Sequence, residues 1–119
     1  MSHDWPGTAK ELSGLIGQLR GGIPEVMKGF SAMAKAAGAE GALDAKTKEL
    51  VALGIAIAAR CDGCIAFHTR TARELGTTRE ELMEVAGMAI YMGGGPSLMY
   101  GALALQAYDQ HVAGVVPAE

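Results

Sequence analysis

At 119 residues the chain is long enough for one domain with a modest core, and half of its residues are apolar, which excludes a disordered segment. A net charge of −3, without a basic cluster and with few aromatics, excludes nucleic acid and an anionic membrane as main partners. With 17 glycines and many alanines, each residue buries little apolar area, so the chain is expected to complete its core against copies of itself as a homo-oligomer.

Residues 1–7 read as an arm, with Trp5 packing onto the body. Met1 to Pro6 lacks the basic and apolar segments of a signal peptide, so the expected address is the cytoplasm. From Thr8 to Arg20 the spacing of Leu12, Leu15, Ile16 and Leu19 predicts a helix, opened by a Thr8–Glu11 capping box and stopped at Gly21-Gly22. Pro24 suits the first turn of a second helix whose amphipathic face is Val26, Met27, Phe30, Met33 and Ala34. Asp44 is a suitable N-cap for a third, running to about Arg60. Its second half is apolar nearly all round and is expected to be the central buried helix. This run, Leu50 to Ala59, is too short to span a bilayer.

A fourth helix is expected from Asp62 to Gly76, and a Thr78–Glu81 capping box opens a fifth with Leu82, Val85, Ala86 and Ala89 inward. Gly93-Gly94-Gly95 ends it and Pro96 starts a last helix, before a tail over 113–119. No segment alternates like a strand between hairpin signals. The expected fold is all-α, a single domain of about six helices. Arg70, Arg73, Arg79, Glu74, Glu80 and Glu81 read as a solvated face, and His3 and His111 as surface residues. Tyr91, Met92, Met99 and Tyr100 read as core or subunit interface.

The polar chemistry is concentrated in Cys61-Asp62-Gly63-Cys64, with His68 four residues beyond and Glu49 twelve before. On a helix Cys61, Cys64 and His68 share one face. In a continuous helix Glu49 would lie about 18 Å from Cys61, so it joins the site only if the chain folds back near Arg60 to Gly63. Such a helix–turn–helix places both thiols in a first turn, where the helix dipole favours thiolate. Glu49 would orient His68, and His68, directly or through one water, would take the proton of Cys64. The second thiol would then resolve an oxidised sulfur to a disulfide.

Zinc is the main rival, with Cys61, Cys64, His68 and Glu49 as four ligands, although no second CxxC knuckle exists. The redox reading needs no cofactor and no metal. Attachment of a c-type haem fails because Ile65 stands where histidine is needed, and a thioredoxin fold fails for want of strands. The triple glycine is no phosphate loop, lacking both the preceding strand and the Lys-Ser/Thr pair.

Glu49, Cys61-Asp62-Gly63-Cys64 and His68, with Met92-Gly93-Gly94-Gly95-Pro96 also in character, resemble the signature of alkylhydroperoxidase D (AhpD)-like proteins of the carboxymuconolactone decarboxylase family. The resemblance runs from about Phe30 to Asp109. It implies an AhpD-like helical bundle assembled as a trimer or hexamer, acting as a thiol-dependent peroxidase or disulfide reductase on a hydroperoxide. It also implies that Cys64 attacks and becomes a sulfenic acid, that Cys61 is proton donor and disulfide partner, and that Glu49 and His68 form the proton relay. AhpD itself recycles a peroxiredoxin and is re-reduced by a dihydrolipoyl protein, so either is an implied partner. Gly63 departs from AhpD, which carries histidine there, and the chain resembles single-repeat relatives rather than the duplicated AhpD. The alternatives are a 4-carboxymuconolactone decarboxylase-type enzyme, which needs no cysteine pair, and a non-enzymatic redox-sensing oligomeric adaptor.

Overall fold

The computed structural model describes residues 3–114, with side chains as far as His111, and is built from helices alone among the described residues. In chain order they are α1 (Trp5–Gly22), α2 (Pro24–Gly38), α3 (Ala45–Ala59), α4 (Asp62–Glu74), α5 (Arg79–Gly93) and α6 (Gly95–Gly114). Helix α3 packs on α4, α5 and α6, the pairs α5–α6 and α4–α6 close the bundle, and α1 lies across α4 and α6. The core is small in volume but continuous: Leu53, Ala56 and Ile57 of α3 meet Ile65, Ala66 and Ala72 of α4, Leu82 of α5, and Ala104, Ala107 and Tyr108 of α6. Small residues allow this approach. A Cβ on Gly101 of α6 would sit 3.5 Å from Ala86 Cβ of α5, and one on Gly54 of α3 3.5 Å from Val85 Cγ1.

Several ends follow local sequence chemistry. Asp44 caps α3 by accepting the Thr47 N–H at 2.8 Å. The Thr78–Glu81 box is reciprocal, Thr78 Oγ1 accepting from Glu81 N at 3.1 Å and Glu81 Oε1 accepting from Thr78 N at 2.9 Å. Gly76 takes φ +89° beyond the end of α4, a conformation glycine adopts without steric cost.

The N-terminus differs from expectation. Asp4, not Thr8, is the cap, accepting the Gly7 N–H at 3.0 Å, and Pro6 pre-sets the first turn of a helix that begins at Trp5. The arm expected over 1–7 is therefore helical from Trp5, and Thr8 is interior to α1, its N–H bonded to Asp4 O at 2.8 Å, so the Thr8–Glu11 box does not form. Trp5 is 1% exposed, and its indole N–H donates to Gln106 Oε1 at 2.8 Å while its backbone N–H donates to Gln110 Oε1 at 2.7 Å. Burial plus two bonds to α6 outweigh terminal fraying, and truncating such a Trp costs about 3–5 kcal/mol. At the other end α6 stays helical through Gly114, and the remainder of the expected 113–119 tail lies outside the described residues.

Both terminal histidines are also held rather than free. His3 stacks on Trp5 with ring centroids 5.0 Å apart. His111 is 3% exposed, and its Nε2–H donates to Ala66 O of α4 at 2.9 Å. The charged face is less a set of intrahelical pairs than a set of ties between elements. Arg73 donates to Tyr108 Oη at 3.1 Å, Arg79 pairs with Asp109 at 3.0 Å, and Lys46 of α3 pairs with Glu81 of α5 at 2.9 Å.

One further expectation is corrected. Helix α3 buries only the stripe Leu53, Ala56 and Ile57, while Ile55 is 62% exposed, because α4, α5 and α6 leave its opposite side uncovered. Helix α2 buries nothing, so its apolar face, Val26, Phe30 and Met33, is open to solvent. Tyr91, Met92 and Met99 are likewise exposed and form no part of this chain's core.

Burial, partly offset by the bond to Ala66, holds the His111 pKa below the usual 6.5, with Arg70 lowering and Glu74 raising it. A depressed folded pKa means the unfolded chain protonates first as pH falls below 6.5, so stability is complete above that value and drains away towards the lower folded pKa. In His111→Gln, urea midpoints measured between pH 7.5 and 5 should fall less steeply than in wild type. At pH 7.5 His111→Leu, which leaves Ala66 O without a donor, should be less stable than wild type by about 1–3 kcal/mol. Parallel pH slopes would mean that His111 takes up its proton alike in the folded and unfolded states.

Candidate active site

The site is made by a chain reversal between α3 and α4. Arg60 stands in the left-handed region (φ 57°, ψ 48°), its N–H bonded to Ile57 O at 3.1 Å and the Cys61 N–H to Ala56 O at 3.2 Å. These two bonds form a Schellman-type ending. Most helices place glycine in such a position, and a side chain there costs roughly 1–2 kcal/mol. The strain sits one residue before the first cysteine.

Cys61 is the N-cap of α4 rather than a first-turn residue, and its Sγ accepts the Cys64 N–H at 3.2 Å. The two cysteines are joined as a disulfide with Cα atoms 5.2 Å apart. A sulfur at this position faces the unsatisfied N–H groups and positive dipole end of a helix, which favours negative charge on it once reduced. One turn beyond Cys64, His68 Nδ1 is hydrogen-bonded to Glu49 Oε2, which arrives from α3 as the reversal requires. The Glu49 side chain is 14% exposed and that of His68 38% exposed. The carboxylate accepts, so Nδ1 carries the proton. In neutral imidazole that leaves the lone pair on Nε2. The arrangement can therefore hold one tautomer, present a base near the thiols, and store or release two electrons in the sulfur–sulfur bond.

The surroundings explain the departure at Gly63. A Cβ there would lie 2.9 Å from Leu12 Cδ1 of α1, so Leu12 occupies the space into which a side chain would grow. A side chain between the cysteines would have to turn the tip of Leu12 aside. On the other side Tyr100 of α6 faces the Asp62 carboxylate, which raises the phenol pKa above its usual 10.0, partly countered by Arg60. Tyr100 and Leu12 were not marked as site residues by spacing, because their proximity depends on how α6 and α1 dock, and Phe67, whose ring lies 5.5 Å from the Arg70 guanidinium, is beside them on α4 itself. Lys48 is similar. Its Nζ donates to Ala37 O at 2.9 Å and also to Ala39 O, fastening the end of α2 beside Glu49. Among the described residues no group of three His, Cys, Asp or Glu side chains is arranged to hold a metal ion.

Comparison with known proteins places the chain. The sequence model of the Carboxymuconolactone decarboxylase family matches residues 24–107. A crystal structure of an apo carboxymuconolactone decarboxylase family protein from Legionella pneumophila superposes with TM-score 0.89 at 50% identity, over 92% of this chain and 98% of that one. An uncharacterized protein from Cupriavidus necator is 39% identical over 109 residues, 92% of this chain and 96% of the relative. The product named uncharacterized protein 4 in the cox locus of Paracoccus denitrificans is 37% identical over 81 residues, 68% of this chain and 73% of the relative. The protein belongs to the carboxymuconolactone decarboxylase family, and an AhpD-like reading fits that family. Among the described residues no helix is long and apolar enough to cross a membrane.

In the reduced protein at alkaline pH, nitrogen-detected spectra should show the His68 imidazole mainly as its Nδ1–H tautomer, the minor form for free histidine. Glu49→Gln should restore a mixture. A wild-type ring that is mainly Nε2–H would mean that Glu49 does not set the tautomer in solution.

Proposed function

We propose that the protein is a thiol-dependent peroxidase with disulfide reductase character, using Cys61 and Cys64 as its redox pair and Glu49 and His68 as its proton relay. The observation that carries this reading is the Glu49–His68 bond one turn from a bonded cysteine pair capping a helix. Catalysis starts from the dithiol. His68 Nε2 takes the Cys64 proton, and the thiolate attacks the distal oxygen of a hydroperoxide. The O–O bond breaks, the alcohol leaves with the proton of the Cys61 thiol, and Cys64 becomes a sulfenic acid. The Cys61 sulfur, stabilised as thiolate at the start of α4, attacks Cys64 Sγ. The sulfenic oxygen leaves as water with a proton supplied by His68, and the disulfide forms. A dithiol donor of the dihydrolipoyl type, free or on a partner protein, returns the enzyme to its starting state by two exchanges. A cytoplasmic setting would keep such a donor reduced.

The decisive assay is hydroperoxide turnover with dihydrolipoamide. Cys64→Ser should abolish it, while Cys61→Ser should accumulate a sulfenic acid at Cys64 that a dimedone-type probe traps. Glu49→Gln should slow turnover by roughly 10²-fold, within the range of a lost acid–base contribution. If the probe labels Cys61 in Cys64→Ser and finds nothing in Cys61→Ser, the two cysteines exchange roles. That assignment also has support, because it is the Cys61 sulfur that accepts a backbone N–H. Consumption of a carboxymuconolactone by a protein lacking both thiols would instead favour the decarboxylase for which the family is named. A protein that oxidises without turnover would be a redox-sensing adaptor.

We also propose that the working form is a homo-oligomer, a trimer or hexamer. A groove of about 400 Å³ between α3 and α5 is walled by Val51, Ile55, Val85, Met88 and Met92, with almost no polar surface. Exposed apolar surface of this extent on a core of small residues is the expected complement of a second copy. Light scattering should find a multiple of the 12.3 kDa chain. Ile55→Glu should shift it to monomer with helical content preserved. A wild-type monomer at micromolar concentration would rule this assembly out.

A further inference from the structure

A second groove, about 420 Å³ in volume, lies beside the active helix between α1, α2 and α4. Its size is that of a small-molecule site. Its walls are mostly apolar, including Ile16 of α1, Phe30 and Ala34 of α2, and Phe67 of α4. Two features tie it to the cysteines. Phe67 sits between Cys64 and His68 on α4, and Leu12, which precedes the groove on α1, is the residue pressed against Gly63 between the cysteines. One cation lines it: Arg20 in the last turn of α1. Among the described residues Arg20 is in no ion pair. The cysteines do not line the groove, but its α4 wall, Phe67, stands one turn beyond Cys64, and its α1 wall carries a guanidinium, an arrangement that matches a ligand with a reactive group at one end, a hydrocarbon body, and an anion at the other.

Resting on the peroxidase reading above, we propose that this groove selects carboxylate-bearing alkyl hydroperoxides, with Arg20 holding the carboxylate and the apolar walls holding the chain. The length follows from α1. From Leu12 beside the cysteine turn to Arg20 the helix rises about 12 Å, which an extended hydrocarbon spans with about eight to ten carbons between the peroxide and the acid. Helix α2 forms the outer wall without burying any of its own side chains, so it can shift to admit such a chain while Lys48 keeps its end fastened.

The test has a binding arm and a turnover arm, both on the full chain. Oxidised protein is titrated calorimetrically with decanoate and with 1-decanol, each below its aggregation limit. Decanoate should bind roughly tenfold more tightly than the alcohol, one charge-assisted contact being worth about that factor. Arg20→Gln should bring the two affinities together, Arg20→Lys should retain part of the difference, and Ala34→Trp, which fills the groove, should weaken both. In turnover, the kcat/KM ratio of 9-hydroperoxyoctadecadienoate to its methyl ester should be about ten in wild type and near one in Arg20→Gln. A ratio taken within one variant is insensitive to partial unfolding. Equal affinities for acid and alcohol, a ratio unmoved by Arg20→Gln, or no binding of either probe because a second copy covers the groove would each overturn the proposal. Binding as described without turnover of any hydroperoxide upholds the groove as an acid-binding site and removes the peroxidase reading instead.

Discussion

The reversal at Arg60 is the constraint on which the site depends. Glu49 lies on one helix and His68 on the next, and only a tight left-handed ending of α3 brings a residue early in α3 opposite a residue in the second turn of α4. The same reversal makes Cys61 an N-cap, because the residue after a Schellman-type ending is already extended and free to open a new helix. One backbone event thus sets the electrostatics of the sulfur and the orientation of the His68 imidazole. A non-glycine residue in that conformation is a cost that persists when the surroundings over-determine it. Here Leu53, Ile57, Ile65 and Ala66, all buried, do so from both sides of the turn.

Much of this was legible in the sequence where the cause is local. Caps at Asp44 and Thr78, the proline opening α2 and the glycine after α4 are read from neighbouring residues, and all form as read. The need for a fold-back was legible too, because helix rise alone sets how far apart Glu49 and Cys61 would be in one rod. Trp5 packs as read, but the start of α1 was misread although Asp4 and Pro6, an N-cap and a first-turn proline, stood on either side of it. The prior that termini fray outweighed a local signal. His111 carried no local signal at all. Its burial comes from α6 lying on α4, and a histidine two residues from a solvated aspartate would look the same in either setting.

The apolar faces show a different failure. Periodicity marks which side of α2 and α3 avoids water but not whether this chain supplies the cover. Val26, Phe30 and Met33 have the spacing of a core face and are exposed, as are Val51 and Ile55. Small residues account for this. Gly54, Gly101 and the alanines let α3, α5 and α6 approach closely, which gives a well-fixed but thin core and leaves the larger side chains outside it.

A thin core shapes the chemistry as well. Because α2 buries nothing and is fastened beside Glu49 by one lysine, the wall next to the active helix is the least committed part of the described fold. The reactive turn, by contrast, is held by α3 beneath, α6 at Tyr100 and α1 at Leu12. The Glu49–His68 pair and the cysteines thus sit on the rigid side and the adaptable wall on the other, the division that the proposed function would need to accept organic substrates of varying shape. The glycine between the cysteines belongs to the rigid side. The tip of Leu12 lies against it, and the polar groups set around the sulfurs are the helix N-terminus and the single Glu49–His68 pair.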